Sequence, residues 1–281
     1  MRYIPARSKR SRPGLAVTRH YLNNNLRVIG VPWKYQLMEG RRRISAAEAA
    51  GLVKSGDWVD YGAVLAQPDV FDRALAARKA ELRDVKIRAC MSTRPRAVLE
   101  ADPQREHFQW YNWHFGGYDR KKHDAGLCHY IPCNLGEIPD YYRRFIEPPD
   151  IVVLKTRDVD ANGFFNLNVT NLWHRAITAR AKIVVVEVSE GLPYLYGVDN
   201  GLHISEVDYV IEGDPGLPPE LPNPPPCDAD RAVARLIAAE VGDGACLQVG
   251  IGGMPNAECR MPFVRCCSKV AYAASVSILK C

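Results

Sequence analysis

Ala245-Cys246-Leu247-Gln248-Val249-Gly250-Ile251-Gly252-Gly253-Met254-Pro255-Asn256-Ala257 reads as an apolar strand, a glycine turn and a helix start. Pro255 suits the first helical position, where its missing N–H has no intrahelical partner to lose. The glycines let a ligand approach the backbone closely, and the free N–H groups of a helix start attract anions. Gly250, Ile251, Gly252, Gly253 and Met254 are therefore the candidate ligand-binding loop. The pattern does not complete a dinucleotide fingerprint. Pro255 stands where the third glycine belongs, and no acidic residue follows at the spacing a ribose needs.

Upstream, Asp228 is placed to cap a helix with the apolar stripe Val233, Leu236, Ile237 and Val241. Before it, Asp214-Pro215-Gly216-Leu217-Pro218-Pro219 and Pro222-Asn223-Pro224-Pro225-Pro226 form a stiff, extended connector. Residues 228–257 thus open a second α/β unit behind a linker at 214–227. The first unit spans 33–213. Ser45 and Glu48 make a capping box for a helix running to about Val53. Strands are expected at Trp58–Tyr61, Val85–Ala89, Ile151–Leu154 and Ile183–Val188, with helices at Asp72–Arg83, from Ile138, and at Leu172–Arg180. Asp160-Ala161-Asn162-Gly163 is a turn. Helices alternating with β-branched runs predict an α/β fold with parallel strands.

The net charge of +5 is uneven. Residues 1–43 hold eleven Lys and Arg against Glu39, which makes them +10 and leaves −5 for the remainder. The body is mildly acidic, which argues against nucleic-acid binding. Residues 1–32 read as a disordered basic extension, either a presequence or an upstream stretch read from a wrong start. No apolar run approaches the length that spans a bilayer. Nine cysteines without a secretory signal read as reduced thiols, which places the protein in the cytoplasm, or in mitochondria if 1–32 is a presequence. Cys128, His129 and Cys133 lack a fourth zinc ligand and read as core or pocket wall. His114 and His203 read as structural. No Gly-x-Ser-x-Gly elbow is present.

Several stretches together resemble the acetyl-CoA hydrolase/transferase family, in its butyryl-CoA:acetate and 4-hydroxybutyrate CoA-transferase branch. They are Ile44–Glu48, Gly56–Gly62, Ala76–Arg78, Tyr130–Pro132, Asn162–Asn166, Ala181–Val188, His203–Tyr209 and, most specifically, Gly244–Ala257. The resemblance covers roughly Trp33 to Ala257. It implies two related open α/β domains, of which the second is present only as its opening helix, strand and loop. It implies transfer of CoA between an acyl-CoA and a small carboxylic acid, in a ping-pong cycle through a glutamyl-CoA thioester. Coenzyme A is then a substrate, no cofactor is permanently bound, intact relatives form homodimers, and Gly250–Met254 lie against CoA.

Two positions depart from the family. Its glutamate belongs near Ser275, where this chain reads Ala274-Ser275-Val276, and no Asp or Glu follows Glu258. The tail 258–281, with four cysteines, matches nothing in the family and reads as out-of-frame translation. The chain is therefore expected to be inactive, and the strand Ala245–Val249 to lack sheet neighbours. A hydrolase, or a non-catalytic CoA- or acyl-binding fragment, is the alternative. Asn168 stands where relatives often carry glycine, and Asn tolerates a positive φ better than most residues.

Overall fold

The computed structural model describes residues 42–218 and 225–242, together with the strand pairs 248–249 and 271–272. After the short strand β1 (Arg42–Arg43), helix α1 (Ala46–Gly51) starts at the capping box. Glu48 N–H donates to Ser45 Oγ at 3.1 Å, and Ser45 N–H donates to Glu48 Oε2 at 2.8 Å. Strands β2 (Trp58–Ala63) and β3 (Val85–Cys90) extend the expected runs at their carboxyl ends. Between them, α2 (Val70–Ala77) starts two residues before Asp72 and stops well before Arg83. Its first N–H groups are claimed by a distant carboxylate, Glu187. Its end is set by Arg78, whose guanidinium donates to the carbonyls of Ala50 and Val53.

The chain continues through α3 (Ala97–Ala101), β4 (Phe108–Asn112), α4 (Gly117–Asp124) and β5 (Cys128–Tyr130). The helix at Ile138 is one turn, α5 (Ile138–Asp140), passing into a π-type turn at Tyr141–Phe145. Then come β6 (Ile151–Thr156), β7 (Phe164–Asn166), α6 (His174–Thr178), β8 (Ile183–Val188), β9 (Gly201–His203) and β10 (Tyr209–Glu212).

Eight strands form one sheet in the order β1-β10-β8-β6-β2-β3-β4-β5, and every pairing is parallel. Parallel neighbours need crossovers, which lay helices on both faces and bury both sides of the central strands. Accordingly, β6 is buried along its whole length. Val153 faces a core with Ala50, Phe71, Leu75 and Trp110, while Leu154 faces Trp173, Ile177 and Leu202 on the other side. The antiparallel pair β7–β9 stands apart from the main sheet.

Helix α7 (Asp228–Glu240) carries Val233, Leu236 and Ile237 of the expected stripe but stops before Val241, leaves Leu236 exposed, and has Cys227 as its cap. Asp230 N–H donates to Cys227 Sγ, and Asp230 Oδ2 accepts from Cys227 N–H, one residue ahead of the expected position. Strand β11 (Gln248–Val249) is not left unpaired as expected: it pairs in parallel with β12 (Ala271–Tyr272), from the tail. The tail backbone can supply hydrogen bonds whatever its side chains are.

Candidate functional site

All eight sheet strands point the same way, so their carboxyl ends share one edge. From β2 the chain steps outward through β3, β4 and β5, then returns to place β6 on the other side of β2. The loops after β2 and β6 therefore leave in opposite directions. A crevice opens at such a switch point, where ligands of open α/β sheets bind.

The backbone here is strained. Val64, directly after β2, has φ 49°, and Met91, directly after β3, has φ 50°. A β-branched residue in the left-handed region is a true outlier, and each such residue costs on the order of 1–3 kcal/mol. Asn168 has φ 53°, a left-handed conformation that Asn tolerates better than most residues. The turns Val64–Ala66 and Asn168–Thr170 pack against one another.

A charged cluster occupies the same crevice. Lys155 on β6 and Glu187 on β8 are cross-strand partners, with Nζ 3.7 Å from Oε1. Lys155 is 8% exposed and Glu187 fully buried. Glu187 caps α2 by accepting from the N–H groups of Asp69 (2.9 Å), Val70 (3.0 Å) and Phe71 (3.0 Å). Burial pushes its carboxyl up, against the pull of those amides and Lys155. Asp69 accepts a fork from Arg94 (2.6 and 2.8 Å), a bond from Arg96 (2.9 Å) and one from Lys155. Burial alone would raise its carboxyl, but the bonds and charge of Arg94, then Lys155, outweigh it and hold Asp69 well below the usual carboxylate range. Forked, charge-assisted bonds of this kind fix geometry as well as charge.

The crevice encloses a cleft of about 390 Å³, within the size range of small-molecule sites. Arg73, Arg94, Arg96 and Lys155 line it, together with Leu65, Asp214 and Leu217. Nothing in the sequence marks Lys155 and Glu187 as partners. Each reads as a lone polar residue in an apolar strand, and only the register joins them.

The expected ligand loop, Gly250, Ile251, Gly252, Gly253 and Met254, lies outside the described residues, as does Ser275. Cys128 is buried in the core, and His129 stacks on Tyr111 with centroids 4.8 Å apart. Among the described residues, no cluster of His, Cys, Asp and Glu could hold a metal ion. No helix among them is long and apolar enough to cross a membrane. His203 acts structurally, its Nδ1 2.8 Å from Ser205 Oγ at the head of a short 3₁₀ turn.

Residues 34–219 match the sequence model of the acetyl-CoA hydrolase/transferase N-terminal domain. A butyryl-CoA:acetate CoA-transferase of Anaerostipes caccae is 40% identical over 215 residues, which cover 76% of this chain and 48% of that protein. A probable butyrate:acetyl-CoA coenzyme A-transferase of Syntrophomonas wolfei is 39% identical over 215 residues, again covering 76% and 48%. Among solved structures, RipA from Yersinia pestis superposes with a TM-score of 0.70 at 25% identity, covering 80% of this chain and 54% of its own. A 4-hydroxybutyrate CoA-transferase from Porphyromonas gingivalis shares the fold, with a TM-score of 0.60 at 24% identity, covering 80% and 52%. The chain spans about half the length of the curated relatives it matches.

Proposed function

The chain belongs to the acetyl-CoA hydrolase/transferase family, and on that premise we propose that it forms the acid-facing half of a site that moves CoA between an acyl-CoA and a small carboxylic acid. The switch-point crevice carries this reading: strained loops at Val64 and Met91 border a cleft lined with cations, where a thioester oxygen and a carboxylate both need positive charge. The second half of the site would come from the unit that opens at Asp228. There Gly250–Met254 would hold CoA, and a glutamate carboxylate would attack the thioester carbonyl. The carbonyl carbon passes to that carboxylate as CoA thiolate leaves. The thiolate then takes the glutamyl carbon, the acyl carboxylate is released, and a second acid reverses the sequence. Ser275 cannot serve as that nucleophile, so the chain as it stands has no turnover of its own in this proposal.

The test is a fusion of residues 1–257 to the corresponding C-terminal portion of the Anaerostipes caccae relative. Purified fusion is expected to convert butyryl-CoA and acetate into acetyl-CoA and butyrate. A folded fusion without exchange would count against the proposal. Acetate-independent release of free CoA by the fusion would instead favour a hydrolase, as the family's name allows.

A further inference from the structure

Two Asn-Gly pairs occur in the sequence, Asn162-Gly163 and Asn200-Gly201. An asparagine followed by glycine carries its own modifying chemistry. The backbone nitrogen of the next residue closes on the side-chain carbonyl, and glycine, having no Cβ, leaves that approach open. The two pairs look alike in sequence, and the fold separates them.

Asn162 stands in the turn between β6 and β7 and is exposed. Its N–H donates to Asp160 Oδ1 at 2.8 Å, while its side-chain amide makes no hydrogen bond among the described residues. Gly163 N–H donates to the Asp160 carbonyl at 3.0 Å, a bond that opens when the nitrogen attacks. Asn200 is held on every side. Its Nδ2 donates to the carbonyls of Leu195 (2.9 Å) and Asn168 (3.2 Å). Its own carbonyl accepts from Leu167 N–H and Asn166 Nδ2, both at 3.2 Å. Gly201 is fixed in β9 opposite Asn166.

We propose that Asn162 is a site of spontaneous deamidation and isoaspartate formation in the native protein, and that its contacts protect Asn200. Gly163 N gives its proton to solvent base and bonds to Asn162 Cγ. Nδ2 takes up a proton and leaves as ammonia, and the product is a cyclic imide. Water then adds to one of the two imide carbonyls. Breaking the N–Cγ bond yields aspartate. Breaking the bond from N to the main-chain carbonyl carbon yields isoaspartate, whose chain runs through Cγ. Nothing is oxidised or reduced, and water is the co-reactant. The site stands independently of the proposed function.

Isoaspartate lengthens by one atom the backbone of a turn that is closed on Asp160. Asp160 Oδ1 also accepts from Phe164 N–H at 3.0 Å, and Oδ2 accepts from Tyr194 OH at 3.0 Å. Ile204 N–H donates to the Gly163 carbonyl at 2.9 Å, and Phe164 opens β7 opposite His203. The longer turn cannot keep Gly163 and Phe164 on Asp160 together, so the β7–β9 pair loosens at that end. Aspartate in ordinary linkage adds a charge and keeps the backbone.

The experiment ages the full chain in mildly alkaline buffer, digests it in acid and maps the peptides by mass spectrometry, with isoaspartyl methyltransferase labelling to identify isoaspartate. The Asn162 peptide is expected to exchange amide for acid, faster as pH rises because the attacking nitrogen must lose its proton. Asn200 should react more slowly by about tenfold or more, since two hydrogen bonds to its Nδ2 must break first. In urea both sites should react alike. Amide hydrogen exchange at Phe164 and Ile204 should quicken in aged wild type, but not in aged Asn162→Gln or in fresh Asn162→Asp. Asn162 that stays intact in the native protein while reacting in urea would overturn the proposal, and so would equal rates at both sites in the native protein. Exchange at Phe164 and Ile204 that is unchanged once isoaspartate has formed would overturn the loosening of β7–β9.

Discussion

Gly62→Ala tests the backbone device that aims β2 at the switch point. Gly62 has φ 64° and marks a register shift between β2 and β3. Its N–H donates to Asp60 Oδ1 at 2.9 Å. A Cβ would lie 2.6 Å from His174 Nε2 and 2.7 Å from Leu154 Cδ2. His174 is fully buried on α6, and Leu154 is in the core, so neither side chain can move aside freely. A left-handed alanine costs roughly 1–2 kcal/mol, and overpacking a tight core adds roughly 1–3 kcal/mol. The expected loss is therefore about 3 kcal/mol, a large part of the typical stability of about 5–15 kcal/mol. Urea unfolding followed by tryptophan fluorescence reads it directly. With an m value of about 2 kcal/mol/M, the midpoint should fall by about 1.5 M. Adding His174→Ala should recover part of the loss, because the clash is removed while the backbone cost stays. A midpoint shift below about 0.3 M at unchanged m would refute the argument.

Lys155→Met leaves Asp69 and Glu187 without their shared cation and should cost about 3–5 kcal/mol, measured by the same unfolding experiment. Asp72, pushed up to about 6 by burial and opposed by Arg96, binds its proton more tightly folded than unfolded. Its contribution is therefore greatest below about pH 4 and is lost as pH rises to about 6, a fall on the order of 3 kcal/mol. Thermal melts across that range should show this slope in wild type and a flatter one in Asp72→Asn. Asn168→Gly should leave stability within about 1 kcal/mol, since glycine accepts the left-handed φ, whereas Asn168→Val should cost more than about 2 kcal/mol. Equal melting temperatures for the two Asn168 variants would contradict the role assigned to that turn.

Much of this fold was legible because its local signals agree with its tertiary demands. Ser45 and Glu48 cap α1 where their spacing says they should, and the β-branched run Ile183–Val188 is a strand over the expected residues. Asn168 drew notice only as a departure from the resemblance, and it takes the left-handed φ that Asn tolerates. The aromatic stretch 107–130 hid both β4 and β5, since Trp110 and Cys128 serve the core equally well as strand or pocket wall. The extent of α2 was hidden for another reason: its start is fixed by Glu187 and its end by Arg78 reaching to Ala50, and both contacts are made by folding. The site was the least legible part. The resemblance pointed to the glycine loop 250–254, whereas the described crevice is built from loops whose strain is invisible in sequence. Val64 argues against a positive φ on its face, and only the fold over-determines it.

What we propose is that the crevice of this half accepts the acid and that no carboxylate among residues 1–281 attacks the thioester. Intact-protein mass spectrometry after incubation with butyryl-CoA, with and without hydroxylamine, examines it directly. The account predicts a polypeptide of unchanged mass under both conditions. A CoA thioester adduct that hydroxylamine removes, mapped to any Asp or Glu of this chain, would contradict it.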